Sequence, residues 1–184
     1  MSVLTTFMRG VTRLNDLIGR GIALLVFAMF GFLLLEVGFR YLFNSPTVWT
    51  NELSQMLFGV YAIMSGGYIM AHRGHVNVDL LHAHLAPRKR AVLDIITSIL
   101  FFIFTLALLW FGIDIASESI ASGETSYSAW NPPVWPVKLA IPIGTGLLVL
   151  QGLVKLLEDI AIAFNLDYYR PPREASEDSE GEYL

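Results

Sequence analysis

Four long apolar stretches constrain this chain more than anything else in it. A bilayer core about 30 Å thick is crossed by about 20 mostly apolar residues in a helix. Residues 21–43, 53–71, 91–113 and 137–157 each meet that requirement. The first is apolar except for Glu36 and Arg40, and the second has no charge. The third carries Asp94 near its start and no charge from Ile95 onward, and the fourth is interrupted by Lys138, Pro142 and Lys155. Strands that cross a membrane need only about 10 alternating residues, so runs of this length read as helices. Helices also satisfy their own backbone groups in lipid. The expectation is an all-α integral membrane protein with four transmembrane helices. With 54% hydrophobic and 15% charged residues, the chain has too few charges to cover a soluble domain, which carries about 25%. Its net charge of −4 excludes a strongly basic nucleic-acid binder. The absence of cysteine excludes disulfides, thiolate metal sites and a cysteine nucleophile. The first run is longer than a signal-peptide core and is followed by no small-x-small cleavage site, so it reads as a retained span.

Orientation follows from the basic residues. Ten of the twelve cluster on one side: Arg9, Arg13 and Arg20 before span one, Arg73, Arg88, Lys89 and Arg90 between spans two and three, and Lys155, Arg170 and Arg173 at or after the end of span four. Only Arg40 and Lys138 remain for the other side. The positive-inside rule then places both termini and the middle loop in the cytoplasm, with residues 44–52 and 114–136 facing outward. Trp49, Trp130, Trp135, Tyr41 and Tyr127 fall near the outer ends of spans, where an aromatic belt sits. In residues 3–18, Val3, Leu4, Phe7, Val11, Leu14 and Ile18 recur at helical spacing against Thr5, Arg9, Thr12, Arg13 and Asp16. This predicts an interfacial amphipathic helix over residues 1–19 whose arginines suit anionic lipid headgroups. Val76, Val78, Leu80 and Leu81 suggest a short second one. Residues 1–166 thus form one membrane domain. Residues 167–184 are acidic, contain Pro171-Pro172 and read as a disordered tail.

Few residues invite a chemical reading. Glu36 and Arg40 lie four apart on one helix face. Buried charge in hydrocarbon costs about 2.5–3.5 kcal/mol on insertion scales, so the pair reads first as mutual neutralisation and second as a proton or ion site. Glu52 opens span two at similar depth, and a Glu36–Arg40–Glu52 cluster is expected. His72, His75, His82 and His84, with Asp79, share the middle loop, but their spacing fits no tetrahedral zinc pattern. No G-x-S-x-G is present. Gly-x-Gly occurs only inside a span as Gly144-Thr145-Gly146, where glycine permits close helix packing. Pro142 is expected to kink span four.

The order of the remaining motifs carries a resemblance. Glu36 and Arg40 close span one, and Pro46-x-x-Trp49-x-x-Glu52 leads into span two. Arg73-x-His75-Val76-x-Val78-Asp79-Leu80-Leu81 follows it. Glu124-x-Ser126, Pro133-x-Trp135-Pro136 and Pro142-x-Gly144 come last. Over roughly residues 24–159 the chain resembles the small membrane subunit of tripartite ATP-independent periplasmic (TRAP) transporters, the DctQ-like family. That resemblance implies a scaffold rather than an enzyme, bound to a large many-span permease subunit in a bacterial inner membrane. The large subunit would carry the substrate and sodium sites and move as an elevator, so this chain needs no cofactor of its own. A periplasmic binding protein would deliver an organic anion, of carboxylate or sialic acid type, and dock on the outer face. The resemblance makes Glu36, Arg40, Trp49, Glu52, Arg73, His75, Asp79, Glu124, Ser126 and Trp135 interface or structural residues. Two other readings stand beside it: a small proton-coupled exporter using Glu36, and the anchor subunit of a membrane redox complex.

Overall fold

The computed structural model describes residues 3–72 and 87–164. Four helices account for nearly all of them: α1 (Val3–Leu42), α2 (Thr50–Ala71), α3 (Pro87–Ser122) and α4 (Trp135–Phe164). At 1.5 Å per residue they are about 60, 33, 54 and 45 Å long. By length and composition α1, α2 and α3 are each able to cross a membrane. The fourth predicted span is the enclosed one, with ten buried residues along α4. The expectations for Arg73, His75, Asp79, the second surface segment and the acidic tail lie outside the described residues.

The helices form an open layer in the order α1, α2, α4, α3, so α3 packs on α4 and not beside α2. Only 6% of the most apolar stretch of α1 and of α3, and 11% of that of α2, is buried. The rest is left for lipid or another protein, the solvent an apolar flank requires. α4 holds the layer together because its small and apolar residues recur every three or four positions. Ala140, Gly144, Leu147, Gln151, Val154 and Ala161 make one buried seam, and Thr145, Gly152 and Asp159 make a second, seven apart. Such heptad spacing keeps a straight seam facing a nearly antiparallel or parallel neighbour. The first seam meets α1 and α2: a side chain on Gly144 would strike the Ile63 carbonyl oxygen at 2.9 Å. The second meets α3, where the Phe101 ring fills the space a Cβ on Gly152 would need. α3 answers with a small residue every seventh position, Ala91, Ser98, Thr105, Gly112 and Ser119, all buried but the half-buried Ser98. Without a hydrophobic effect between helices in lipid, this close approach supplies the dispersion contacts that hold them.

One expectation is corrected. Residues 3–18 are not a separate surface helix; they continue without a break into span one as a single helix, α1. Since α2 is shorter than α1, the N-terminal part of α1 runs on past the end of α2 and reaches α4. There Met8 and Val11 pack on Val154, flanked by Leu4, Leu150 and Leu157. The stretch therefore has three faces instead of two. Leu4, Met8, Val11, Asn15 and Gly19 face the protein, Arg9, Arg13 and Arg20 form a polar face, and Val3, Phe7, Leu14 and Leu17 stay exposed.

Candidate functional site: the polar clasps between helices

The polar residues at membrane depth are tied to one another rather than arranged around a chamber. The largest cluster joins the end of α1 to the start of α2. Asn44 adopts a left-handed conformation (φ 50°), and the Ser45 N–H donates to the Phe39 carbonyl at 3.0 Å, which closes α1. Asparagine tolerates this conformation better than most side chains. The chain then returns so that the first turn of α2 lies against Glu36, which is 7% exposed. One carboxylate oxygen of Glu36 accepts from Arg40 Nη2 at 2.6 Å and Nε at 3.2 Å. The other accepts from the Thr47 N–H at 3.0 Å, from Thr50 Oγ1 at 2.9 Å and from Thr47 Oγ1. A carboxylate thus stands beside the positive end of α2, where the helix dipole favours it, and holds the Thr47 N–H and two threonine hydroxyls at the helix entry. It also loses the open lone pairs that a cycling proton site needs.

Glu52 does not join that cluster, contrary to the expected Glu36–Arg40–Glu52 group. It accepts instead from Ser128 Oγ at 2.6 Å and so ties α2 to the α3–α4 loop. The reason lies in that loop, which has its own architecture. Gly123 (φ 60°) ends α3 in a Schellman pattern, with Gly123 N–H to Ile120 O at 3.2 Å and Glu124 N–H to Ser119 O at 3.1 Å. Thr125 and Pro133 then bridge, Ser126 N–H donates to Pro132 O at 3.0 Å, and Ser126 Oγ donates to Ser128 Oγ at 2.9 Å. The loop folds back far enough for Trp130 to reach Trp49, with ring centroids 6.4 Å apart, while Trp49 meets Phe32 edge-on at 5.8 Å. Glu124 pairs with Lys138, whose ammonium holds the Glu124 carboxyl below the usual carboxylate range. Trp135 opens α4 and remains partly exposed.

A second clasp lies at the opposite end of the layer. Asn15, 1% exposed, donates to Gln151 Oε1 at 3.1 Å, and Gln151 Nε2 reaches Thr12 Oγ1 at 3.4 Å. Asn15 Oδ1 has no hydrogen-bond partner among the described residues and lies directly over Gly67, where a Cβ would stand. Oxygen against a glycine Cα fits the weak C–H···O contacts of close helix pairs. Nearby, Arg20 pairs with Asp16 at 2.7 Å, and His72 Nε2 lies 3.5 Å from Asp16. Lys155 approaches Asp94 and Asp159 at 3.7 and 3.9 Å. Arg88 Nε donates to Ala163 O at 2.9 Å, which caps the C-terminal end of α4. Arg9, Arg13 and Lys89 are exposed, and Arg90 is half-buried. Among the described residues, no three His, Asp or Glu side chains converge to hold a metal ion.

Sequence reasoning missed Thr47, Thr50, Asn15, Gln151 and Ser128. The threonines flank Trp49, three apart at the entry to α2, which is a capping signal once an acidic partner is known. Asn15 and Gln151 sit on apolar helix faces, where a lone amide in a span signals a cross-helix bond.

Long, lipid-ready helices joined by side-chain clasps define an all-α integral membrane protein. Residues 29–162 match the family described as tripartite ATP-independent periplasmic transporters, DctQ component, and the chain belongs to that family. It is a transporter subunit family, not an enzyme family. The chain is 24% identical over 137 residues to the sialic acid TRAP transporter small permease protein SiaQ of Vibrio cholerae, covering 72% of this chain and 75% of that one. It is 28% identical over 107 residues to the sialic acid TRAP transporter permease protein SiaT of Haemophilus influenzae, covering 58% of this chain. It spans only 17% of SiaT.

Proposed function

We propose that this chain is the static scaffold subunit of a TRAP transporter that takes up an organic anion, of carboxylate or sialic acid type, at the expense of an ion gradient. Its partner is a large elevator-type permease subunit that holds the substrate and sodium sites. A soluble periplasmic binding protein delivers substrate to the outer face. The chain lies in the bacterial inner membrane, with four crossings, both termini in the cytoplasm, and Arg9, Arg13, Arg20, Arg88, Lys89 and Arg90 at the inner lipid surface.

The observation that carries this reading is the state of Glu36. Five hydrogen bonds from Arg40, Thr47 and Thr50 hold its carboxylate between α1 and α2. A proton-coupled exporter would need that group free to change partners. The sparsely buried flanks of α1 and α3 supply the area a large membrane partner requires. The test is uptake of a labelled organic acid in cells lacking the chain, complemented with the wild type or with Glu36→Gln. A scaffold predicts that Glu36→Gln lowers the amount of assembled complex and leaves uptake per complex unchanged. Full assembly with abolished uptake would point to a transport role for Glu36 instead.

A further inference from the structure

The two seams of α4 lie one residue apart, Gly144 beside Thr145 and Gln151 beside Gly152. Successive residues of a helix point about 100° apart. α2 on the first seam and α3 on the second therefore stand about a quarter turn apart around α4, and the layer bends there. Helices at such an angle hold three corners of a square four-helix bundle and leave the fourth corner open. Ile141, Leu148 and Lys155, seven apart and half-buried, line the inside of the bend. Ile141 is what a Cβ on Gly112 of α3 would meet, and Leu148 is what a Cβ on Gly66 of α2 would meet.

That contact of Gly66 fixes which side of α2 borders the open corner. On this side Asn51, Gln55, Phe58, Ala62, Ser65 and Ile69 recur at alternating intervals of four and three, and all but the half-buried Ser65 are exposed. This is the spacing of a seam that faces another helix. Its composition differs from that of the other free faces. Every exposed residue of α1 from 21 to 35 and of α3 from 99 to 113 is apolar or glycine. The α2 stripe instead carries two primary amides and a hydroxyl, with alanine at its middle. Since α2 is only about as long as a bilayer core is thick, Gln55, in its second turn, stands at membrane depth. Hydrocarbon offers an amide no hydrogen bond, and small or polar residues are what helices in lipid present to one another.

We propose that the open corner is the socket for one transmembrane helix of the large permease subunit, which completes a four-helix bundle with α2, α4 and α3. Asn51 and Gln55 bond polar groups of that helix, and Ala62, between Gly59 and Gly66, lets it approach closely. Lipid chains could fill the corner but could not bond its amides. A second copy of the chain does not fit it. In a two-fold dimer the same surface meets itself, and two recesses face to face enclose a gap rather than fill one.

This inference rests on the TRAP reading, and the experiment separates the two. The tagged chain is purified with its large subunit in lipid nanodiscs, carrying photo-reactive benzoylphenylalanine in place of Phe58, of Ile69 or, on the outside of the bend, of Ile143. All three positions are exposed, so no replacement removes a buried contact. Illumination is expected to join the large subunit, identified by mass spectrometry, to the probes at Phe58 and Ile69 and not to the probe at Ile143. Ala62→Trp is expected to lower the recovered complex about tenfold and Gln55→Leu about threefold, with the amount of each variant in the membrane unchanged. Ile143→Trp is expected to leave recovery as it is. Probes at Phe58 and Ile69 that join only lipid or a second copy, or full recovery with Ala62→Trp, overturn the socket and leave the family reading in place. A chain that purifies without a large subunit overturns both.

Discussion

Glu36 is where a single residue matters most. Its removal takes the acceptor from the Thr47 N–H and from the Thr47 and Thr50 hydroxyls, which keep only their bond to each other, while the more exposed Arg40 turns to solvent. Leaving a buried hydrogen-bonding group unpaired costs about 1–3 kcal/mol, and more for a charged one. Glu36→Ala is therefore expected to destabilise the protein by about 2–4 kcal/mol, and Glu36→Gln, which keeps the acceptor, by less. Thermal unfolding in mild detergent reads the difference, and equal midpoints for both variants and the wild type would show that the clasp is ornamental. Glu124 gives a pH prediction. Its carboxyl titrates below the ordinary value of 4.5 because Lys138 stabilises the charged form. A depressed carboxyl contributes stability that is complete above 4.5 and is lost as the pH falls through the lower folded value. Trp130 and Trp135 fluorescence should thus be flat from pH 7 to 5 and change only below that. Lys138→Met should move the change upward in pH; an unshifted titration would mean the pair does not order the loop.

Among the elements, α4 decides the fold, and its role was only partly legible. The apolar runs, their lengths and the charged positions that bound them could be read directly, because the bilayer imposes one length on every span. Gly144 reads from the sequence as a packing glycine, and it is where Ile63 approaches α4; Phe101 approaches it at Gly152. The seven-residue spacing of Ala91, Ser98, Thr105, Gly112 and Ser119 is invisible to hydropathy. Small residues leave no mark in a hydropathy pattern, although their period was there to count. The amphipathic stretch 3–18 misled for a related reason: its two-faced pattern fits a lipid surface, and its third face becomes visible only once α4 is beside it. Glu52 was placed with Arg40 because depth along a span can be counted, whereas the folding of a loop over it cannot. Two substitutions test the seams. Gly112→Leu puts a side chain where Ile141 Cγ2 stands, 2.8 Å from a Cβ at that site, and should cost about 1–3 kcal/mol by overpacking. In a double-mutant cycle, Asn15→Ala and Gln151→Ala should couple by about 0.6 kcal/mol, the usual size for such bonds between membrane helices. Strict additivity would mean that the amides do not interact.

As a whole molecule, the protein is an open layer whose interior is mostly one helix deep, which is unusual for a chain that must work alone. Helices this poorly covered gain from a permanent neighbour, and the large membrane subunit proposed above is that neighbour. The charges that drew attention in the sequence serve mainly to close the layer: Glu36 to α2, Glu52 to the loop, Lys155 toward α3 and Arg88 to the end of α4. The central claim is that this chain is a scaffold completed by a larger membrane subunit. Native mass spectrometry of the tagged chain, extracted in mild detergent from its own cells, tests it most directly. A stoichiometric complex with one many-span membrane protein is predicted, and a stable homo-oligomer that carries no such partner would contradict it.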